Sequence, residues 1–163
     1  MDKVTIVFWS QSGNTESMAN AVAEGVTAAG KEAVVVDVAS ASLDDLKAAK
    51  GFAMGCPAMG AEVLEEGEME PFVCDVEGFA AGKTIALFGS YGWGDGQWMR
   101  DWADRMTAAG ATVVNGEGVI CQEAPDDAAL DACKDLGKQL GIMSAKEAYF
   151  KAKDAGLDLV KIA

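Results

Sequence analysis

The stretch "IVFWSQSGNTESMANAVAEGV" (residues 6–26) decides the fold. An apolar run ends at Trp9, and six residues rich in hydroxyls and glycine follow. A helical pattern then begins, with Met18, Val22, Val26 and Ala29 at helical spacing and Gly30 as its stop. A strand that turns into a helix through "SQSGNT" (residues 10–15) presents hydroxyls, a tight glycine turn and unbonded helix-start amides in one place. That combination makes an anion nest, helped by the positive end of the helix dipole. It carries no lysine, so it is not the triphosphate loop of pattern GxxxxGK[ST]. It suits a single terminal phosphate held by neutral donors, although an ordinary capped helix start shares several of these features.

The alternation continues along the chain. "EAVVVDV" reads as a second strand, "SLDDLKAAKG" as a short helix capped by Ser42, and "GFAMGC" as a third strand. "KTIALFGS" is a fourth strand, and the next helix has Trp98, Trp102, Met106 and Ala109 on one face. "ATVVNGEGVICQ" is a fifth, interrupted strand, and "PDDAALDACKDLGKQLG" is a helix with Pro125 near its start. Continuous apolar strands alternating with helices imply an α/β fold, a parallel sheet covered on both faces. Ligands in such sheets bind beyond the carboxyl ends of the strands. The loops after Trp9, Met54 and Phe88 are therefore the places to search.

Composition narrows the function. The chain has 163 residues, which fits one domain at about 100–200 residues each. With 26 Asp and Glu against 13 Lys and Arg, its net charge of −13 disfavours nucleic acid and anionic membranes and favours a basic protein partner. No apolar run reaches the length of a membrane helix, and strand-like sequence starts at Lys3 without a targeting signature, so a cytoplasmic location is expected. Histidine is absent, which removes Ser-His-Asp and Cys-His catalysis and most zinc sites. Cys56, Cys74, Cys121 and Cys133 form no C-x-x-C pair, and reduced thiols with no metal are expected.

The second loop, "GCPAMGAEVLEEGEMEPF" (residues 55–72), offers a thioether, a flexible glycine and a carboxylate. The third, "GSYGWGDGQW" (residues 89–98), has four glycines that let backbone approach a flat ligand, with Trp93 as a stacking face; core packing is the other role open to Trp93. A phosphate nest with two loops able to sandwich a ring describes a mononucleotide site.

"SQSGNT", "GCPAMGAE", "LFGSYGWGDG" and the "PD" before the last helix, in this order over residues 1–141, resemble the short-chain flavodoxins. The resemblance implies a doubly wound five-stranded parallel sheet in order 2-1-3-4-5. It implies non-covalent flavin mononucleotide (FMN) and a low-potential one-electron carrier with no catalytic residue. Ser10, Gln11, Ser12, Gly13, Asn14 and Thr15 would hold the phosphate. Met59 would lie on the inner face of the isoalloxazine and Trp93 on the outer face, with Glu62 accepting from N3–H. The backbone of Gly60 and Ala61 would sit beside N5, and Ser90, Tyr91, Gly92 and Trp93 would form the other loop. Pro57, Ala58 and Gly94 complete the implied set. Ala61 stands where several relatives carry Asp.

The chemistry expected from this resemblance is redox work done by the cofactor and tuned by protein. A flip of the Gly60–Ala61 peptide would offer a carbonyl to N5–H, with Gly60 making a positive φ cheap. Glu62, Glu65, Glu66, Glu68 and Glu70 would disfavour the second electron, each at about 1 kcal/mol or more. The alternatives are an FMN-dependent quinone or NAD(P)H oxidoreductase of the same fold, or a fusion whose tail serves as an interaction module. Expected partners are redox proteins with basic docking faces.

The chain continues past Gly141 with "IMSAKEAYFKAKDAGLDLVKIA". Ser144 and Glu147 read as a capping box for a helix from about Ala145 to Ala155, and Leu157–Ile162 as an extended segment. Residues 138–163 resemble part of the N-terminal domain of bacterial translation initiation factor three. The expected organisation is a flavodoxin-like unit over 1–141 and an extension over 142–163, from a natural or constructed fusion, with the chain a monomer or a dimer through that extension.

Overall fold

The computed structural model describes residues 3–154, and for 145–154 the course of the backbone alone. Strand and helix alternate as β1 (Lys3–Phe8), α1 (Asn14–Ala28), β2 (Glu32–Asp37), α2 (Leu43–Ala48), β3 (Gly51–Gly55), α3 (Met69–Glu77), β4 (Thr84–Tyr91), α4 (Gln97–Ala108), β5 (Thr112–Val113), β6 (Val119–Gln122) and α5 (Asp127–Asp154). All pairings within the sheet are parallel, in order β2-β1-β3-β4-β5, with β6 also on β4. β5 and β6 are the two halves of the expected fifth strand. Asn115, at φ 63°, turns the chain aside between them.

The two-residue period of the strands sorts the core into two layers. Ile6, Phe8, Ala53, Ala86 and Phe88 face α1 and α5, where Met18, Val22, Val26, Leu136 and Leu140 close over them. Val7, Phe52, Met54, Ile85 and Leu87 face the opposite way, under Leu46 of α2, Phe72 and Val73 of α3, and Trp98, Trp102 and Met106 of α4. Burying one such side chain is worth about 1.5–3 kcal/mol. The two tryptophans, each 1% exposed, anchor α4 directly behind the third loop.

Helices α1 and α5 cross at a pair of glycines. A methyl group on Gly25 would collide with the carbonyl of Lys134, and one on Gly137 with the carbonyl of Val22. The two backbones therefore touch with no side chain between them.

Three sequence expectations change. Residues 69–72, expected as the end of the second loop, instead begin α3, which continues to Glu77. Pro71 falls in its first turn, where no amide donor is needed. Helix α5 does not stop at Gly141 but runs without a break to Asp154, so Ser144 is inside a helix and is not an N-cap. The extended segment expected over Leu157–Ile162 lies outside the described residues. Ser42 caps α2 as expected, accepting from the Asp45 amide at 3.2 Å. Among the described residues no helix is long and apolar enough to cross a membrane.

Candidate ligand cleft

Three loops meet beyond the carboxyl ends of β1, β3 and β4. The first turns at Gly13, the N-cap of α1, whose φ of 92° belongs to the left-handed region that glycine enters without strain. No side chain caps the helix from that position. Ser10 reaches over instead, and its Oγ accepts from the Gly13 amide at 3.1 Å and the Glu16 amide at 3.3 Å. The amides of Asn14 and Thr15 lie in the first turn, where no intrahelical acceptor exists. They are what the nest offers to an anion.

The second loop leaves β3 still paired to β4, with the Cys56 amide on Phe88 O at 3.1 Å and the Ala58 amide on Ser90 O at 3.0 Å. Met59 and Val63 then exchange two backbone bonds, 2.8 and 3.0 Å, and pinch off the tip Gly60-Ala61-Glu62. Gly60 has φ 46° and Glu62 has φ 56°. Beneath the tip, the Glu65 amide donates to Cys56 Sγ at 3.4 Å, and Trp98 Nε1 donates to Cys56 O at 3.0 Å. Burial pushes the Cys56 thiol up to about 12, so it stays a neutral packing group.

The third loop follows β4. Gly94 and Gly96 take left-handed φ of 91° and 95°, and Gly96 is the N-cap of α4. The capping acceptor comes from the second loop: Glu62 Oε1 accepts from the Gly96 amide at 3.0 Å and the Gln97 amide at 2.9 Å. Gly94 makes room for that carboxylate, because a methyl group there would overlap it. Trp93 projects from the loop with 65% of its surface exposed.

Ser10, Gln11, Ser12, Asn14 and Thr15 from the first loop line a cleft of about 200 Å³. Pro57, Ala58 and Met59 line it from the second loop, and Ser90, Tyr91 and Gly92 from the third. Gly13 forms the turn behind it. Gly60 and Ala61 line an adjoining groove with Met59 and Glu66. Trp93 and Gly94 are outside the cleft lining, and Glu62 faces α4 with Trp98, Trp102 and Arg105. One lining residue, Glu123, escapes sequence reading. It stands after β6 with its amide on Tyr91 O at 2.8 Å, and its φ is 59°.

The acidic stretch is less uniform than its sequence suggests. Burial pushes the Glu65 carboxyl up, but bonds from the Met69, Glu68 and Gly67 amides outweigh it and hold the group below the usual carboxylate range. Glu70 is also lowered, chiefly by a two-pronged bond from Arg105 at 2.9 and 2.8 Å. Arg105 bonds Glu77 as well, at 2.8 Å. Glu70 therefore contributes little free charge, while Glu66 and Glu68 have no cationic partner among the described residues. Among the described residues no cluster of potential ligands could hold a metal ion.

The chemistry of the donors fits an FMN-sized group. Neutral hydroxyls and unbonded helix-start amides suit a phosphate, and an adjoining groove edged by Met59 suits a ring. A family model described as Flavodoxin matches residues 6–137. The chain is 46% identical over 135 residues to a flavodoxin of Clostridium beijerinckii, covering 83% of this chain and 96% of that protein. It is 44% identical to a flavodoxin of Megasphaera elsdenii, with the same coverage. The solution structure of the two-electron reduced Megasphaera elsdenii protein superposes with a TM-score of 0.75 over 85% of this chain and 98% of that one. An archaeal flavodoxin, 29% identical, superposes with a TM-score of 0.78 over 88% and 99%.

Proposed function

The chain belongs to the flavodoxin family, whose members bind FMN and carry electrons without catalysing turnover of an organic substrate, and on that premise we propose how its own residues do so. The observation that carries the reading is the meeting of a lysine-free nest, the Met59 tip and the Trp93 loop at one end of the sheet. FMN, when bound, supplies the one-electron redox chemistry.

Ser10, Gln11, Ser12, Gly13, Asn14 and Thr15 would hold its phosphate, with the backbone amides of Asn14 and Thr15 as donors. Pro57, Ala58, Ser90, Tyr91 and Gly92 would shape the walls, with Gly94 outside them making room for the Glu62 carboxylate. Met59, in the cleft lining, would cover one face of the ring and the exposed Trp93 the other, excluding water from both. Glu62 would accept from N3–H with Oε2, the carboxylate oxygen not bonded to the start of α4. Gly60 would present its backbone carbonyl toward N5 of bound FMN, and its φ of 46° is one that glycine adopts cheaply. Glu62, Glu66 and Glu68 set a low second potential, Glu70 being neutralised by Arg105.

The partners are redox proteins, and the net charge of −13 favours those with basic docking faces. We place the carrier in the cytoplasm. Residues 1–141 are the FMN-binding unit. Residues 142–163 are an appended extension similar in sequence to part of initiation factor three, and the chain is a monomer or a dimer through it.

The test is an absorption spectrum of the purified chain with FMN added. Flavin bands with strongly quenched fluorescence, restored only when FMN is released, are the expected result. A colourless protein that takes up no added FMN would overturn the reading.

A further inference from the structure

We infer that Gln122 is a positioning residue for the flavin site: from outside the cleft it aims two successive backbone amides of the third loop, those of Gly92 and Trp93, at the flavin ring. The inference rests on the FMN reading above. Strand β4 has β3 on one side and β6 on the other. In an extended strand successive carbonyls point to opposite sides. The end of β4 begins that way. Ser90 O accepts from the Ala58 amide on the β3 side at 3.0 Å, and Tyr91 O from the Glu123 amide on the β6 side at 2.8 Å. The next carbonyl, that of Gly92, would return to the β3 side in a continuing strand. It is held toward β6 instead, where Gln122 Nε2 donates to it at 3.3 Å.

The carbonyl and the N–H of one trans peptide point in opposite directions. Holding Tyr91 O and Gly92 O toward β6 therefore turns the Gly92 and Trp93 amides away from it, to the side of β3 and the second loop. Neither amide donates to an acceptor among the described residues. Tyr91 and Gly92 line the cleft, whereas Gln122 lines the groove between β6 and α5 outside it. Two adjacent amides facing one way form a small nest for negative charge. The carbonyl oxygens of the ring are acceptors of that kind, and such bonds strengthen as the acceptor gains charge. The bond to Tyr91 O comes from a backbone amide that nearly any residue at position 123 supplies. The Gln122 side chain is thus the part of this bracket that depends on residue type.

Gln122→Met keeps the length of the side chain and removes the donor. Gln122 is exposed, so the urea midpoint of the flavin-free variant should match that of the parent. FMN and riboflavin, each titrated into the flavin-free full-length chain and followed by fluorescence, should both bind about two- to tenfold more weakly. An equal loss for the two places the effect at the ring and not at the phosphate. The second reduction potential of the FMN-loaded variant should fall, because the added charge meets fewer aimed donors. Gln122→Lys restores an N–H donor and should recover riboflavin binding. A loss confined to FMN, a lowered urea midpoint with an unchanged potential, or a Gln122→Met chain equal to the parent in affinity and potential would overturn the role of Gln122 and leave the FMN reading standing. A parent chain that takes up neither flavin would overturn both.

Discussion

The hydroxyls of Thr15 and Ser90 lie 3.2 Å apart, both buried, and join the first turn of α1 to β4 across 75 residues of sequence. The bond holds two of the three loops together before any ligand arrives. Ser90→Ala leaves the Thr15 hydroxyl unsatisfied and should cost the flavin-free chain about 1 kcal/mol. The measurement is a lower urea midpoint at unchanged slope. The double variant Thr15→Val with Ser90→Ala should cost less than the sum of the two single changes, since both partners leave together.

Trp93 should behave in the opposite way. With 65% of its surface exposed it contributes little to folding. Trp93→Ala should leave the urea midpoint of the flavin-free chain in place while weakening FMN by about 1–3 kcal/mol through lost stacking and burial. A fluorescence titration with FMN reads this directly.

Glu62 joins two loops and carries charge, and two substitutions separate these roles. Glu62→Gln keeps an oxygen for the Gly96 and Gln97 amides, so thermal stability should barely change. On the proposed placement of Glu62 beside the ring it removes a negative charge there, so the second reduction potential should rise. Glu62→Ala should also raise it but lose about 1 kcal/mol of stability, as the start of α4 loses its cap. Spectroelectrochemical titration that finds an unchanged or lower potential in Glu62→Gln would mean the carboxylate acts only on α4.

Gly137→Ala tests the crossing of α1 and α5. Alanine is the better helix former by about 1 kcal/mol, so helix propensity alone predicts a more stable chain. The new methyl would meet the Val22 carbonyl, and forced separation of packed helices costs about 1–3 kcal/mol. A lower melting temperature is expected, and a raised one would show that the helices are not in backbone contact.

Arg105→Met leaves Glu70 and Glu77 without their shared cation. The loss should be about 1 kcal/mol at neutral pH for a partly exposed ion pair. Its pH dependence has a definite sign. Glu70 is held below the ordinary glutamate value, so the pairing stabilises the fold while Glu70 is charged. The difference between parent and variant should be full above about pH 4.3, the unfolded value, and vanish as pH falls through the lowered native one. Denaturation curves at several pH values check this.

Much of this was legible in the sequence. Apolar runs mark the strands because parallel strands are buried on both faces, and "SQSGNT" marks the nest because its residue types fit only a sharp turn into a helix. What stayed hidden depends on tertiary register. Glu123 enters the cleft because β6 aligns Gln122 with Tyr91, a pairing no local pattern announces. Helix α3 was masked by acidic residues and Pro71, which resemble loop signals until the helix start is known. Gly141 and Ser144 read as a stop and a new start, yet the helix carries through both. The bond from Glu62 to α4 needs a glycine 32 positions later to vacate the space, which spacing alone does not reveal.

Burial or acidic neighbours raise all four thiols, Cys56 and Cys133 to about 12, and the chain contains no histidine. Histidine is the side chain whose ordinary pKa falls between about 5 and 8. Neither the thiols nor an imidazole therefore supplies this scaffold with a group that titrates near neutrality. Its electrostatic field stays constant while the cell's acidity drifts. Any proton that accompanies an electron must come from solvent, so pH dependence of the potentials near neutrality should report the flavin's own titration against a fixed background.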